Sequence, residues 1–231
     1  MGGVSSIAIT GTDTGVGKTR VGRALLRAAL RRGVSVAPLK LVETGCIHKA
    51  GELVPEDGVA LARAANVELS RVAPLRFELP ASPAEAARAV GRTLSFTELA
   101  LHVEAARALC PSLLLEGAGG ALVPFGADGT FADLVARLGL PALIVARDAL
   151  GTVNHTLLTV EALERRGVAV QGIVLQPVAA EPPGLDHRRQ LGELLRAPVF
   201  GPLAFRPDAD DDALADEIVD AGLDPKELFG A

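Results

Sequence analysis

A glycine-rich segment near the start of the chain constrains the fold more than any other feature. It reads Gly11-Thr-Asp-Thr-Gly-Val-Gly-Lys-Thr19 and lies between an apolar run, Val4–Thr10, and a stretch with apolar residues at helical spacing, Gly17–Arg32. A strand, a glycine-rich turn and a helix in this order are typical of a phosphate loop, in which backbone N–H groups and a helix N-terminus surround an anion. The segment therefore predicts a nucleotide-binding α/β fold.

Two residues at the end of this loop carry the expected chemistry. Lys18 is expected to reach the β- and γ-phosphates, and the Thr19 hydroxyl is expected to bind Mg²⁺. Five residues separate Gly11 from Gly17, whereas the common G-x-x-x-x-G-K-[ST] pattern has four. An ordinary strand-to-helix turn with a surface lysine is disfavoured, because strand, glycines, Lys-Thr and helix occur together. A dinucleotide-binding turn is disfavoured because G-x-G-x-x-G is absent.

The rest of the chain alternates short apolar runs with longer amphipathic ones. Continuous apolar strands that are each followed by a helix indicate a parallel sheet covered on both faces. We therefore expect one α/β domain of the P-loop NTPase type over residues 1–231, with a mainly parallel sheet and a short surface loop near residues 180–184. The further predicted strands are Val34–Leu39, Ser112–Leu115, Pro141–Ala146 and Val168–Leu175, and the further helices are Asp57–Asn66, two that begin after Ser82 and Ser95, Thr130–Leu138, Val153–Arg166, Asp186–Arg196 and Asp211–Asp220.

Composition excludes several classes of protein. With 49% hydrophobic and 22% charged residues the chain has a globular composition, and a net charge of −5 without a basic patch argues against nucleic acid as a partner. Cys46 and Cys110 form no C-x-x-C pair, which argues against a zinc site or a disulfide scaffold and favours a reducing cytoplasm. No apolar run reaches the roughly 18 residues of a membrane span, and no secretory signal is recognised. We expect a cytoplasmic protein without a membrane partner.

Charged residues stand at the ends of two predicted strands, where an open α/β sheet binds its ligands. Lys40 is one of only four lysines among 23 basic residues, and it could hold a transferred phosphate or simply be solvated. Glu116 precedes Gly-Ala-Gly-Gly and could hold Mg²⁺ or be a solvated acid in a turn. Asp57 opens a helix that it could merely cap. The helix start at Gly151 could bind a carboxylate through its free N–H groups.

Four segments together resemble the dethiobiotin synthetase family. They are GTDTGVGKT (Gly11–Thr19), KLVETG (Lys40–Gly45), EGAGG (Glu116–Gly120) and GTVNHTLLT (Gly151–Thr159). The longer spacing between the first and last loop glycines is itself the family form. The resemblance runs from Ile7 to about Gln176, and more weakly to Phe205.

The resemblance implies an ATP-dependent ligase that closes the ureido ring in biotin synthesis. CO2 adds to one amine of 7,8-diaminononanoate to give a carbamate, whose oxygen attacks the γ-phosphate of ATP. The second amine then closes the ring and expels phosphate from the mixed carbamic-phosphoric anhydride. This chemistry needs positioning, Mg²⁺ and cations around the phosphoryl group.

The resemblance also implies a role for each matching position. Lys18, Lys40 and Thr14 correspond to the residues closest to the chemistry, and the helix start at Gly151 to the segment that receives the substrate carboxylate across the interface of a homodimer. Nucleotide contacts are implied at Asp13, Thr14, Gly15, Val16, Gly17, Lys18, Thr19 and Gln176; Mg²⁺ ligands at Thr19, Asp57 and Glu116; and substrate contacts at Lys40, Thr44, Gly119, Gly151, Thr152, Val153 and Asn154.

Four positions depart from the family pattern, and one of them, Gly15, replaces a larger residue that is found in some relatives. Leu41 stands where the family has proline after the lysine, and Ala84 stands where it has histidine. Gln176 takes the place of the asparagine that reads adenine, and its amide can still donate and accept hydrogen bonds. None of these departures removes a phosphate or metal position.

Two other functions stay open. A related P-loop ligase acting on another carboxylate or carbamate, as in cobalamin side-chain amidation, usually carries a glutamine-hydrolysing domain for which this chain has no room. A nucleotide switch of the MinD or ParA type usually has an extra lysine near the start of the loop, where this chain has Thr12 and Asp13. The stretch Asp208–Asp220 is acidic, unlike a basic membrane-binding helix.

Overall fold

The computed structural model describes residues 6–179, 184–206 and 208–230. The strands are β1 (Ile7–Gly11), β2 (Ala37–Leu39), β3 (Val42–Thr44), β4 (Ile47–Lys49), β5 (Glu52–Val54), β6 (Leu75–Phe77), β7 (Leu113–Gly120), β8 (Pro124–Gly126), β9 (Gly129–Thr130), β10 (Ala142–Asp148), β11 (Val170–Pro177) and β12 (Val199–Phe200). The helices are α1 (Lys18–Arg31), α2 (Glu56–Ala65), α3 (Pro83–Ala89), α4 (Phe96–Leu109), α5 (Phe131–Arg137), α6 (Thr152–Glu164), α7 (His187–Leu194), α8 (Asp211–Asp220) and α9 (Pro225–Phe229). A single 3-10 turn (Leu69–Arg71) follows α2.

A six-stranded parallel sheet organises these elements. Its strand order is β12-β11-β10-β1-β7-β2, so β1 lies in the interior between β7 and β10. Three two-stranded pairs flank it: β3 with β6 in parallel, and β4 with β5 and β8 with β9 as antiparallel pairs. The sheet confirms the predicted P-loop type of α/β fold.

Helices cover both faces of the sheet, as the continuous apolar strands predicted. On β10, Leu143 and Val145 join a core layer with α1, α2, α8 and α9, whereas Ala142, Ile144 and Ala146 join a second layer with α3 to α7. Successive strand residues point to opposite faces, so a strand buried on both sides must be apolar throughout.

The structure extends one predicted strand and adds others. The prediction ended a strand at Leu115, but β7 continues to Gly120, which pairs with Gly11 of β1. Glycines can form this stretch where side chains cannot, because a Cβ at Gly117 would lie 2.6 Å from the Phe131 ring. The first two residues of the predicted strand at Val4–Thr10 lie outside the described residues, as does the predicted loop near residues 180–184 apart from its last residue.

Local chemistry fixes the helix starts. The Ser82 hydroxyl accepts a hydrogen bond from the Glu85 N–H at 3.4 Å, and the Ser95 hydroxyl accepts one from the Glu98 N–H at 3.2 Å. Both serines are therefore helix caps, as predicted. No helix in the described part of the chain is long and apolar enough to cross a membrane.

Candidate active site

The phosphate loop, Gly11–Thr19, joins β1 to α1 at the carboxyl edge of the sheet. A Cβ at Gly11 would lie 2.7 Å from Val16 Cγ2 and 2.8 Å from the Asp13 carbonyl oxygen, so only glycine fits there. Gly17 precedes α1 with a φ of 95°, a left-handed conformation that favours glycine. The Val16 side chain is buried in the core. This residue can therefore contact a nucleotide only through its backbone.

Lys18 lies buried at the start of α1 and reaches back across the loop. Its Nζ donates a hydrogen bond to the Asp13 carbonyl oxygen at 3.1 Å. Burial, together with the nearby charge of Lys40, lowers the pKa of Lys18 to about 8. An anion bound inside the loop would offset both effects, because it would stabilise the charged ammonium.

A second lysine organises what we term the carboxylate cluster: Thr19, Lys40, Asp57 and Glu116. Lys40 Nζ donates to Glu116 Oε1 at 2.7 Å, to Asp57 Oδ2 at 2.9 Å and to the Gly117 carbonyl oxygen at 3.2 Å. Thr19 Oγ1 lies 2.7 Å from Asp57 Oδ1 and 2.9 Å from Glu116 Oε1. Lys40 is 3% exposed and Glu116 is 0% exposed. Neither residue is a solvated charge at the end of a strand.

The charges of this cluster depend on one another. Burial alone would lower the pKa of Lys40, but the carboxylates of Glu116 and Asp57 outweigh burial and raise this pKa. Burial alone would raise the pKa of Asp57, but the charge of Lys40 outweighs it and lowers this pKa. The cluster therefore holds a charged, buried ammonium between the buried carboxylate of Glu116 and the half-exposed carboxylate of Asp57.

Glu43, which sequence reasoning missed, holds the backbone next to Asp57 of the cluster. Its Oε1 accepts a hydrogen bond from the Asp57 N–H at 2.9 Å, and its Oε2 accepts one from the Gly58 N–H at 2.8 Å. Burial raises the pKa of Glu43. Glu43 thus caps α2, whereas the Asp57 side chain points to Thr19 and Lys40. The alternative that Asp57 merely caps its helix is wrong.

The oxygens of the cluster fit a magnesium ion. Thr19, Asp57 and Glu116 come from three different elements and bring hydroxyl and carboxylate oxygens together, which is the ligand type that Mg²⁺ prefers. Glu116 Oε2 is buried and has no hydrogen-bond partner among the residues that the structure describes. An unsatisfied buried carboxylate oxygen is costly unless a cation or a donor reaches it.

A cavity of about 340 Å³ lies between the phosphate loop and β3. Gly119 has a φ of 67°, and a Cβ there would lie 3.4 Å from Thr14 Oγ1, so these two residues are neighbours. Nine of the predicted site residues line this cavity together with Glu43 and Ala118: Thr14, Gly15, Gly17, Lys18, Thr19, Lys40, Thr44, Asp57 and Gly119. Glu116 is joined to it through its hydrogen bond with Lys40.

Gln176 and Arg147 also lie next to the phosphate loop. Gln176 is buried on β11, its side chain lies against Gly17, and its Nε2 has no partner within the described residues. Arg147 pairs with Gln176 in strand register and its guanidinium lies 2.9 Å from Asp13 Oδ2. Sequence reasoning missed Arg147, because nothing local indicates a partner 134 residues away.

The segment Gly151–Asn154 stands apart from this cavity. Gly151 has a φ of 92° and precedes α6, and the Thr152 hydroxyl is buried without a partner in the described part of the chain. Val153 is half-buried against the core and Asn154 is exposed. Beside α6 a second groove of about 430 Å³ runs from Thr14 to the middle of the helix. Within one chain, the segment does not line the same cavity as Lys18 and Lys40.

Comparisons with known proteins identify the family of this chain. A family model described as an AAA domain matches residues 5–213. The ATP-dependent dethiobiotin synthetase BioD of Anaeromyxobacter dehalogenans (strain 2CP-C) is 50% identical over 202 residues, covering 80% of this chain and 87% of that protein. The protein of the same name from Thermodesulfovibrio yellowstonii is 34% identical over 223 residues, covering 91% of this chain and 93% of that protein.

A solved structure supports the fold alone. Chloroplast FtsY from Physcomitrella patens superposes with a TM-score of 0.50 at 16% sequence identity, covering 94% of this chain and 66% of that chain. The family resemblance seen in the loop and in the three downstream segments is confirmed by the curated relatives. By its sequence, its fold and its phosphate loop, this chain belongs to the ATP-dependent dethiobiotin synthetase family of P-loop proteins.

Proposed function

We propose that this protein is an ATP-dependent dethiobiotin synthetase. It joins CO2 to 7,8-diaminononanoate and closes the ureido ring, with ATP converted to ADP and phosphate. One observation carries the proposal beyond family membership: two buried lysines, Lys18 and Lys40, meet at one cavity beside a set of carboxylate and hydroxyl oxygens. Phosphoryl transfer to a carbamate needs cations around the transferred group.

The phosphate loop positions ATP in this proposal. Its backbone N–H groups and the start of α1 surround the phosphates, and Lys18 exchanges the Asp13 carbonyl oxygen for a phosphate oxygen. Thr14 offers a hydroxyl at the mouth of the cavity, and Gln176 offers a free amide to the base. The remaining loop positions, Asp13, Gly15, Val16, Gly17 and Thr19, contribute backbone groups or hold the loop in shape.

Thr19, Asp57 and Glu116 would hold Mg²⁺ beside the phosphates. The bound ion supplies positive charge that stabilises the phosphate oxygens as charge shifts during transfer. Asp57 is kept in place by Glu43, which holds the backbone at the start of α2. The metal position would therefore be set by residues from three different elements.

Lys40 serves the carbamate. Lys40 lines the same cavity as Thr44 and Gly119, and its ammonium is held there by Glu116 and Asp57. One amine of the substrate adds to CO2, and the carbamate oxygen then attacks the γ-phosphorus while the bond to ADP breaks. The second amine attacks the carbamate carbon of the mixed anhydride, and phosphate leaves. Lys40 and Lys18 balance negative charge throughout, and no residue needs to form a covalent bond.

The substrate carboxylate is bound by Gly151, Thr152, Val153 and Asn154 of a second copy of the chain. Two features favour a homodimer: the segment lies outside the cavity of its own chain, and three leucines are exposed near the start of α6 or along the groove beside it. Leu150 is 89% exposed, and Leu122 and Leu158 are also largely exposed along the groove beside α6. Exposed apolar surface of this kind marks an interface.

The unpaired cysteines suit a reducing cytoplasm.

The test is product formation. The purified protein is incubated with 7,8-diaminononanoate, bicarbonate and Mg-ATP, and dethiobiotin and ADP are measured by mass spectrometry with each component left out in turn. We expect dethiobiotin only when all components are present, and none with Lys18→Gln. ATP hydrolysis without product, and stimulation by DNA or lipid instead, would point to a nucleotide switch.

A further inference from the structure

A buried histidine–aspartate pair lies just before the helix start proposed to bind the substrate carboxylate. His187 Nδ1 and Asp148 Oδ1 are 2.7 Å apart, and the two residues are 3% and 6% exposed. Asp148 is the last residue of β10, and His187 is the first residue of α7. The carboxylate accepts the hydrogen bond, so the Nδ1 position carries the proton.

The pleat of β10 explains why its last two residues reach in different directions. Ala142, Ile144 and Ala146 face the layer formed by α3 to α7, so Asp148 faces that layer too. Arg147 points to the opposite face and reaches the phosphate loop at Asp13. The end of one strand is therefore tied on one side to the nucleotide site and on the other side to α7.

Asp148 stands three residues before Gly151, and the turn between them is short. The Thr152 N–H donates to the Ala149 carbonyl oxygen at 3.0 Å, which closes this turn directly onto α6. A buried carboxylate at this place is costly on its own, and it also opposes the binding of a second carboxylate nearby. His187 offsets both effects by donating a hydrogen bond to Asp148.

We propose that His187 is a positioning residue for the substrate carboxylate: through Asp148 it fixes the β10–α6 turn and compensates the negative charge beside the helix start. This inference rests on the proposed function, since it assigns the carboxylate of 7,8-diaminononanoate to Gly151–Asn154. It adds two residues, Asp148 and His187, that touch neither ATP nor the reacting atoms.

Four variants separate positioning from simple packing: His187→Leu, His187→Asn, Asp148→Asn and the double variant Asp148→Asn/His187→Leu. The KM for 7,8-diaminononanoate, the KM for ATP and kcat are measured for each, with the melting temperature as a control for folding. His187→Leu should raise the KM for 7,8-diaminononanoate about tenfold and leave the KM for ATP within about twofold, since it leaves a buried charge uncompensated. His187→Asn should stay near wild type, because its amide can donate from a similar position.

The double variant is the decisive one. Removing the charge of Asp148 should restore most of the affinity for 7,8-diaminononanoate that His187→Leu loses, even if the protein melts at a lower temperature. A purely structural role predicts no recovery of the KM for 7,8-diaminononanoate, whatever the melting temperature does, and this result would overturn the inference. An equal rise in the KM of both substrates would overturn it as well.

The single variant Asp148→Asn keeps the test valid if His187→Leu does not fold. It retains an oxygen for the His187 hydrogen bond and should leave the KM for 7,8-diaminononanoate unchanged or lower. A selective increase in that KM would refute the charge argument. A wild-type protein that makes no dethiobiotin would instead refute the proposed function, and with it the assignment of the carboxylate.

Discussion

Replacing Lys40 by Met tests whether its ammonium stands in for a metal ion. Methionine has a similar length, but it removes the charge that lies 2.7 Å from Glu116 and 2.9 Å from Asp57. Glu116 is fully buried, and Lys40 is the cation that it pairs with among the described residues, so removing this partner of a buried ion pair should cost about 3–5 kcal/mol. At about 2–4 °C per kcal/mol for a chain of this size, the melting temperature should fall by roughly 10 °C.

Magnesium should reverse much of this loss. In Lys40→Met, a divalent cation can take the position between Asp57 and Glu116 without displacing an ammonium. A cation at about 100 times its Kd would return about 2.7 kcal/mol. In the wild-type protein without nucleotide, Mg²⁺ must compete with Lys40, so its stabilising effect should be much smaller.

The assay is urea or thermal unfolding with EDTA and with a series of Mg²⁺ concentrations, together with Mn²⁺ binding followed by the electron spin resonance of the free ion. Lys49→Met is the matched control, because Lys49 is an exposed lysine on β4. In the double variant Lys40→Met/Glu116→Gln the uncompensated charge is removed, so most of the stability should return in EDTA. The reasoning is refuted if Lys40→Met loses no stability in EDTA, or if it binds Mn²⁺ no more tightly than wild type.

Three further predictions follow from neighbouring contacts. Lys18→Gln should abolish dethiobiotin formation. The pKa of Lys18 in the folded protein, about 8, lies below its ordinary value of 10.5, so the free energy of unfolding of the wild-type protein should rise between about pH 8 and pH 10.5. Lys18→Gln should lack this rise. The same dependence of stability on pH in both proteins would contradict the prediction. Glu43→Ala removes both hydrogen bonds that cap α2 and should lower the free energy of unfolding in urea by about 1–2 kcal/mol. The same variant should need a higher Mg²⁺ concentration for half-maximal activity. An unchanged Mg²⁺ dependence would rule out the idea that Glu43 holds Asp57 in place. Leu150→Asp should shift the protein towards monomer in sedimentation experiments and lower activity, whereas Leu101→Asp, on exposed surface of α4, should do neither.

The strands of the sheet interior were predictable from sequence for a physical reason. A strand covered on both faces excludes polar residues, so Pro141–Ala146 stands out against its surroundings, and β10 covers most of it. The pair of β3 and β6 was missed, because each strand has only three residues and the partners Val42 and Leu75 are far apart in the chain. Short strands have no periodicity that a local pattern can reveal.

The candidate site, like the fold, could be predicted from the sequence only in part. Lys40 and Glu116 could be singled out because the ends of parallel strands meet at one edge, but their direct contact spans 76 residues and depends on β2 pairing with β7. The sequence did not reveal Glu43 as a helix cap, because its backbone partners lie on a helix that begins 13 residues later. His187 could not be singled out, since a lone histidine has no metal-ligand spacing and its partner Asp148 lies on β10, 39 residues earlier in the chain.

The two lysines of the site are held in a similar way. Each ammonium is buried, and each is bound to an oxygen of the protein: Lys18 to the Asp13 carbonyl, and Lys40 to the carboxylates of Asp57 and Glu116. A buried ammonium without such a partner would be driven towards its neutral form, which cannot stabilise a phosphoryl group. In the proposed reaction, binding of ATP, Mg²⁺ and carbamate would exchange these internal partners for ligand oxygens. Since both lysines are already in place, little reorganisation of charge is left for the moment of phosphoryl transfer, and that is where electrostatic preorganisation accelerates a reaction.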